Sequence, residues 1–135
     1  MSPVSAFLLN RSSDLAGQRV VVLGAAYRGG VKETAFSGVF ATVGALRTRG
    51  AEVTVDDPMY TDEELTALGF TPHSAGAEVD AAILQTDHAE YRALTPADLP
   101  GVRTFVDGRN VTDADAWAGV TRRVIGLPQD AEAAR

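Results

Sequence analysis

The sequence predicts an α/β domain with a doubly wound, mostly parallel sheet, arranged as a single three-layer domain. Three observations predict it. Short runs such as Val20–Leu23 and Ala81–Gln85 are apolar over nearly their whole length, which is typical of parallel strands buried on both faces. Segments with helical spacing alternate with these runs along the chain. With 135 residues, 45% of them hydrophobic, the chain has the size of one domain with its own core.

The first predicted strand, Val20–Leu23, leads through a glycine-rich loop into the first predicted helix. Apolar residues repeat there with helical spacing, namely Phe36, Val39, Phe40, Val43 and Leu46. Arg47 and Arg49 are basic residues typical of the last turn of a helix, and Gly50, which follows them, is predicted to end it. The second predicted strand is Glu52–Val55, and Asp57-Pro58 ends it.

The second half of the chain continues the alternation with shorter elements. Thr61 and Glu64 have the spacing of a capping box, which predicts a short helix that ends at Gly69. The other predicted elements are a short edge strand Phe70–His73, the buried strand Ala81–Gln85, a helical turn from Thr95 to Leu99, a strand Arg103–Val106, a short helix Asp113–Trp117 and a last strand Arg123–Ile125.

The two ends of the chain are predicted to lie outside the domain. Pro3 is suited to start a helix, and Val4, Phe7 and Leu8 would share one face of it. The stretch near the C-terminus is predicted to be a mobile tail. These features predict a domain over residues 17–127, with short extensions at 1–16 and 128–135.

Composition excludes several classes of function. The net charge of −6 argues against a nucleic-acid or membrane-surface partner, since both favour a basic face. There is no cysteine, which excludes disulfides and a thiol nucleophile, and with two histidines no metal site is expected. Met1–Asn10 lacks the basic start of a signal peptide, and a cytoplasmic location is expected.

The loop after the first strand is the most informative segment. A strand that ends at Gly24 and leads towards a helix start is suited to bind a phosphate, through unpaired backbone N–H groups. Gly24, Gly29 and Gly30 fit neither a dinucleotide fingerprint nor a P-loop. Arg28 is the sharpest candidate, because a guanidinium can fork onto a phosphate. The alternative is an ordinary glycine-rich turn with solvated charges.

Three more loops are expected at the same edge of the sheet, where ligands bind in such folds. Asp56-Asp57 could bind a ribose or a metal, but an Asp-Pro turn is favoured. Thr86-Asp87-His88 suggests acid–base chemistry, whereas a histidine without a nucleophile more often serves as a hydrogen-bonding residue. Arg109 is a candidate second anion ligand. Trp117 is predicted to lie in the core.

Four motifs in order and spacing resemble one known family. They are VVVLGAAYRGGVKETAFS, GAEVTVDDP, AAILQTDHAEYRAL and VDGRNV. Over about residues 17–127 the chain resembles the C-terminal UDP-binding domain of the UDP-glucose/GDP-mannose dehydrogenase family. The sequence of Tyr27–Glu33 is most similar to that of the branch that acts on UDP-N-acetyl-hexosamines, such as UDP-N-acetylmannosamine. The resemblance implies a Rossmann-like domain, with residues 1–16 as the end of a helix that connects domains.

The resemblance also implies a role for the chain. Family members oxidise the sugar C6 alcohol to a carboxylate with NAD, using an NAD-binding domain and a catalytic cysteine that this chain lacks. It implies a UDP-sugar site formed by Gly24, Tyr27, Arg28, Gly29, Gly30 and Arg109, with Lys32, Thr86 and His88 as secondary candidates. No catalytic residue is expected.

One departure concerns Ala35, which stands where many members have an arginine that reaches towards the cofactor. The chain alone is therefore expected to bind no NAD. The expected partners are a UDP-sugar, an NAD-binding domain or subunit and, weakly, a second copy. Two alternatives stay open at this point. One is an assembly or regulatory module that docks on a separate NAD-domain subunit, and the other is a small NAD-dependent reductase.

Overall fold

The computed structural model describes residues 15–35 and 37–125. Within them, five parallel strands form one sheet in the order β2-β1-β3-β4-β5. The strands are β1 (Arg19–Leu23), β2 (Glu52–Asp56), β3 (Ala81–Leu84), β4 (Thr104–Asp107) and β5 (Thr121–Val124). The predicted α/β class with a doubly wound parallel sheet is confirmed. The predicted C-terminal tail and nearly all of the predicted connecting helix lie outside the described residues.

The strands form the sheet because their side chains are apolar on both faces. In β1, Val20 and Val22 pack into the core on one face of the sheet. Val21 and Leu23 alternate with them and pack into a second core on the other face. The connection from β1 leads to β2 on one side of it, whereas the connection from β3 leads to β4 on the other side. The β1/β3 junction is therefore the switch point, above which ligands bind in sheets of this order.

The two faces of the sheet are covered differently. The helices α1 (Val39–Thr48) and α2 (Asp62–Ala67) contribute Val39, Val43 and Leu65 to the first core. The second core is covered by three short 3-10 segments, Ala89–Ala93, Pro96–Asp98 and Ala114–Trp117. Trp117 is buried there and stacks on Phe105, with 3.9 Å between ring centroids. The prediction that Trp117 lies in the core is confirmed.

Several predicted boundaries are corrected. Helix α1 begins at Val39, with Gly38 at its N-cap, so the loop before it is longer than the spacing predicts. The predicted edge strand Phe70–His73 is reduced to a single bridge between Pro72 and Val55. The predicted short helix before Trp117 is a 3-10 segment with Asp113 at its N-cap. β5 begins two residues earlier than predicted.

Local capping fixes the start of α2 as predicted. The Thr61 hydroxyl accepts the Glu64 N–H at 3.1 Å, and the Glu64 carboxylate accepts the Thr61 N–H at 2.9 Å. This reciprocal pair satisfies two backbone donors that the first turn leaves without helical partners. No helix among the described residues combines the length and apolar character needed to cross a bilayer.

Candidate functional site

Four loops meet at the carboxyl edge of the sheet. We call them the first loop (residues 24–38), the second loop (57–61), the third loop (85–88) and the fourth loop (108–113). They follow β1, β2, β3 and β4 respectively. Because all the strands are parallel, their carboxyl ends lie along one edge, and the four loops are brought together there.

The glycine N–H groups of the first loop are used within the chain. The Gly24 N–H donates to the Asp56 carbonyl at 2.7 Å. The Gly29 N–H donates to Asp87 Oδ1 at 2.8 Å, and the Gly30 N–H donates to His88 Nδ1 at 3.1 Å. The expectation that the loop offers unpaired N–H groups to a phosphate is therefore wrong at these three positions. That the three glycines contact a ligand stays a prediction.

Two of these glycines are required by close packing of the first loop on the third. Gly24 has φ of +107°, and a Cβ there would lie 2.3 Å from the Thr86 Cβ. A Cβ on Gly29 would lie 2.3 Å from the Asp87 carbonyl oxygen. Only glycine permits these approaches. The glycine spacing therefore reflects contact between loops, which sequence spacing alone does not distinguish from contact with a phosphate.

Thr86 and His88, the secondary candidates in the third loop, are buried hydrogen-bonding residues. The Thr86 hydroxyl donates to the Ala26 carbonyl at 2.6 Å. His88 Nε2 lies 2.8 Å from Asp57 Oδ2, and both side chains are excluded from solvent. These contacts favour the hydrogen-bonding interpretation of His88 over an acid–base role. Asp57 also takes part in the turn that its Asp-Pro sequence predicts, since its carboxylate accepts the Met59 N–H at 2.8 Å.

Tyr27 and Arg28 are the exposed middle of the first loop. The Arg28 guanidinium carbon lies 5.5 Å from the centroid of the Tyr27 ring. Arg28 forms no ion pair with any of the described residues, and Tyr27 is 37% exposed. An unpaired guanidinium held beside an exposed aromatic ring is suited to bind a phosphate next to a planar group.

Arg109 joins this surface from the fourth loop. Its Nη2 donates to the Tyr27 carbonyl at 3.3 Å and lies 4.0 Å from Asp87 Oδ1. The turn that carries it is built on Asp107, which is fully buried. Asp107 Oδ1 accepts the Arg109 N–H at 3.0 Å, and Oδ2 accepts the Thr112 N–H at 2.8 Å. The predicted proximity of Arg109 to the first loop is thus present in the structure.

Lys32 lies on another part of the surface. Its Nζ is 2.5 Å from a carboxylate oxygen of Glu64 in α2 and 5.4 Å from the centroid of the Tyr60 ring. The ion pair with Lys32 and the capping contacts lower the pKa of the Glu64 carboxyl. Although Lys32 belongs to the first loop, its side chain pairs with α2, whereas the Arg109 side chain contacts Tyr27.

A cavity of about 250 Å³ opens between these loops, above the switch point. The residues that line it come from the first, third and fourth loops, the start of α1 and the strand ends: Ala26, Tyr27, Ser37, Gly38, Leu84, Gln85, Gly108, Arg109 and Ile125. The sequence prediction missed Gln85, whose side chain is fixed by the Thr42 hydroxyl, which donates to Oε1 at 2.8 Å. Its position directly after β3 was the available indication.

A second cavity of about 540 Å³ lies on the side of the sheet that the 3-10 segments cover. Leu23, Tyr91 and Leu99 line it together with Asp56 and His73. The Tyr91 hydroxyl donates to Asp56 Oδ2 at 2.7 Å, and burial beside this carboxylate raises the pKa of Tyr91. No residue of the predicted UDP-sugar site lines this cavity.

Comparison with known proteins identifies the family. Residues 21–114 match the model of the UDP-glucose/GDP-mannose dehydrogenase family, UDP binding domain. The chain belongs to this family. The residues matched include all four loops at the carboxyl edge. This chain therefore represents the UDP-binding domain of that family.

Relatives and solved structures agree with this placement. The chain is 34% identical over 110 residues to a UDP-glucose 6-dehydrogenase of Haloferax volcanii, covering 77% of this chain and 26% of the relative. It is 31% identical to a UDP-glucose 6-dehydrogenase of Rhizobium meliloti, covering 85% and 29%. The chain thus spans about a quarter of the length of these relatives.

Among solved structures, a UDP-glucose dehydrogenase from Pyrobaculum islandicum matches with a TM-score of 0.63 and 27% identity, over 90% of this chain and 28% of that one. A UDP-N-acetyl-mannosamine dehydrogenase from Staphylococcus aureus matches with a TM-score of 0.65 and 24% identity, over 83% and 27%. The latter likeness establishes the fold.

Proposed function

We propose that this chain is the UDP-sugar-binding domain of an NAD-dependent UDP-sugar 6-dehydrogenase, an enzyme that oxidises the sugar C6 alcohol to a carboxylate. In this proposal the chain by itself binds the UDP moiety without turnover. The observation that carries the proposal is that Tyr27 and Arg109 line the cavity at the switch point, with the Arg28 guanidinium beside the Tyr27 ring. Family membership and the names of the relatives support a UDP-sugar as the ligand.

The binding chemistry follows from the charges at this surface. Arg28, which has no carboxylate partner among the described residues, would bind the diphosphate through charge-assisted hydrogen bonds. Arg109 has five N–H donors, and the described residues give its side chain one hydrogen bond, to the Tyr27 carbonyl. Its 4.0 Å separation from Asp87 is long for an ion pair. Arg109 would therefore contact the ligand without giving up a strong partner.

The residues of this chain do not fit NAD. The glycine N–H groups that would bind a pyrophosphate in a dinucleotide fold donate instead to Asp56, Asp87 and His88. Ala35, where a cofactor-reaching arginine would stand, has only a methyl side chain, and its N–H donates to Glu33 Oε1 at 2.9 Å. We therefore assign NAD binding and the chemical step to a domain or subunit outside this chain.

Calorimetric titration with UDP tests the proposal. Wild type is expected to bind UDP, and Arg28→Ala is expected to lose about 1.5–3 kcal/mol of binding free energy, the cost of a charged hydrogen bond. That corresponds to about 10- to 150-fold weaker binding. Arg103→Ala is the matched control, because Arg103 is an exposed arginine at the amino edge of the sheet that pairs with Asp80. Wild type that shows no heat up to millimolar UDP would contradict the proposal for this chain.

A second candidate function is an assembly or regulatory module that docks on a separate subunit carrying the NAD domain. In this function that subunit would supply the parts of the relatives that the chain does not match, since the chain covers 26% and 29% of two of them. Size-exclusion chromatography with such a subunit should show co-elution. A chain that elutes as a free monomer beside that subunit, and still binds UDP, would exclude the docking function. The same experiment on the chain alone measures the expected weak self-association.

A further inference from the structure

The Asp57 carboxylate forms hydrogen bonds to two other loops in addition to those of its own turn. Its Oδ2 accepts the Ala25 N–H at 2.8 Å and the Ala26 N–H at 3.2 Å. The same oxygen lies 2.8 Å from His88 Nε2. Asp57 is 4% exposed. One buried carboxylate oxygen therefore joins the first, second and third loops at a single point.

The hydrogen bonds of His88 fix its tautomer. Nδ1 accepts the Gly30 N–H at 3.1 Å, so it carries no proton. The ring proton therefore lies on Nε2, which donates to Asp57 Oδ2. His88 is 1% exposed and connects the carboxylate on one side to the first loop on the other. Both ring nitrogens are used, so the ring has no free atom for a proton transfer.

These contacts surround the two exposed residues of the first loop. Ala25 and Ala26, immediately before Tyr27, are held by Asp57. Gly29 and Gly30, immediately after Arg28, are held by the side chains of Asp87 and His88. Four backbone donors, two before Tyr27 and two after Arg28, are therefore fixed to the other loops. The short segment between two fixed points has little freedom to move.

We propose that Asp57 and His88 are positioning residues for the nucleotide-sugar site. Their buried hydrogen-bonded pair holds the first loop in the binding conformation before the ligand arrives, so that Arg28 meets the diphosphate without ordering its own backbone. The inference rests on the proposed UDP-sugar binding. A ligand that meets a preordered loop does not lose affinity to the ordering of that loop.

Two substitutions of His88 separate its two hydrogen bonds. His88→Asn places an amide oxygen near the position of Nδ1, which keeps the acceptor for Gly30 and loses the donor to Asp57. His88→Gln places an amide N–H near the position of Nε2, which keeps the donor and loses the acceptor for Gly30. Both remove the ring, so the loss of packing is similar. His73→Gln is the control, because His73 bonds Thr54 at the β2 edge, away from the first loop.

The variants are compared by calorimetry with UDP and by NMR hydrogen exchange of the backbone amides without ligand, at a pH and temperature where each is folded. We expect Gly30 to exchange faster in His88→Gln and Ala25 to exchange faster in Asp57→Asn. We expect His88→Gln and Asp57→Asn each to bind UDP about tenfold more weakly than wild type. The UDP affinity of His88→Asn should lie closer to that of wild type than the affinity of His88→Gln does. His73→Gln should match wild type in both measurements.

The outcomes separate this inference from the proposed function. If Gly30 exchanges faster in His88→Gln while UDP affinity stays within twofold of wild type, the positioning role is overturned. If UDP affinity falls equally in all the variants, including His73→Gln, the effect is general loss of stability and the inference is also overturned. If wild type itself does not bind UDP, the proposed function fails, and unchanged exchange of Gly30 and Ala25 would additionally refute the anchoring of the loop.

Discussion

The Asp107→Ala substitution tests how the fourth loop is built. The Asp107 carboxylate accepts N–H groups from Arg109, Val111 and Thr112, and the Thr112 hydroxyl. It also lies 3.6 Å from Nη2 of Arg122, which is 7% exposed. Removing it takes the Asp107 carboxylate away from the buried Arg122 guanidinium and from the buried Thr112 N–H.

The expected cost follows from these groups. The Arg109 and Val111 amides are only partly buried, so water can replace their acceptor at small cost. Breaking a buried ion pair typically costs about 3–5 kcal/mol. Arg122 keeps hydrogen bonds to the Thr112 carbonyl and hydroxyl, so we place Asp107→Ala near the lower end, at about 3 kcal/mol. A domain with about 5–15 kcal/mol of total stability would still fold.

Urea unfolding followed by tryptophan fluorescence measures this cost. Trp117 is the single tryptophan of the chain and is buried on Phe105, so its emission reports on the core. The control is Asp113→Ala, which removes an exposed N-cap carboxylate that accepts the Asp115 N–H, and it should cost about 1 kcal/mol. If Asp107→Ala costs no more than the control, the view that Asp107 organises the fourth loop is wrong.

Two further predictions concern the contact between the first and third loops and the partly buried His73. Gly24→Ala should lose at least about 2 kcal/mol in urea unfolding, since its Cβ would overlap Thr86 at a positive φ, whereas Gly44→Ala in α1 meets nothing within 4 Å and should gain about 0.5–1 kcal/mol. Equal stability of the two variants would contradict the close packing of the first loop on the third. Burial lowers the pKa of His73 below its usual 6.5, so the unfolded chain binds more protons and stability is lost as pH falls through about 6.5. Urea unfolding between pH 8 and pH 5.5 should show this loss reduced in His73→Gln, and an identical pH dependence in that variant would refute the assignment.

The fold was predictable because its determinants are local in the sequence. The runs at Val20–Leu23 and Ala81–Leu84 are apolar on both faces, and in a chain of this length only a covered parallel sheet buries both faces of several such strands. The capping box at Thr61 acts over three residues, so it also appears in the sequence. The start of α1 was mispredicted because apolar spacing does not show where the preceding loop ends.

The candidate site was predictable in its location but not in its connections. Strand order places the loops at one edge, and that much follows from the alternation of strands and helices. The pairing of Asp57 with His88 joins residues 31 apart, and neither sequence motif specifies the other. The same holds for Gly29. A side chain there would overlap the carbonyl of Asp87, which is 58 residues away in the sequence. Contacts of this kind depend on tertiary packing, which spacing along the chain does not encode.

The bridge at Pro72 has a consequence for how the sheet ends. Val55 donates its N–H to the Thr71 carbonyl and accepts the His73 N–H, both at 2.9 Å, so the backbone groups on either side of Pro72 face β2. The backbone nitrogen of Pro72 faces away from β2, and as a proline nitrogen it carries no hydrogen to donate. A strand from another molecule would find no donor there, because proline at an outer strand blocks intermolecular pairing. At Pro72 the β2 side of the sheet is thereby protected against the edge-to-edge association that leads to aggregation.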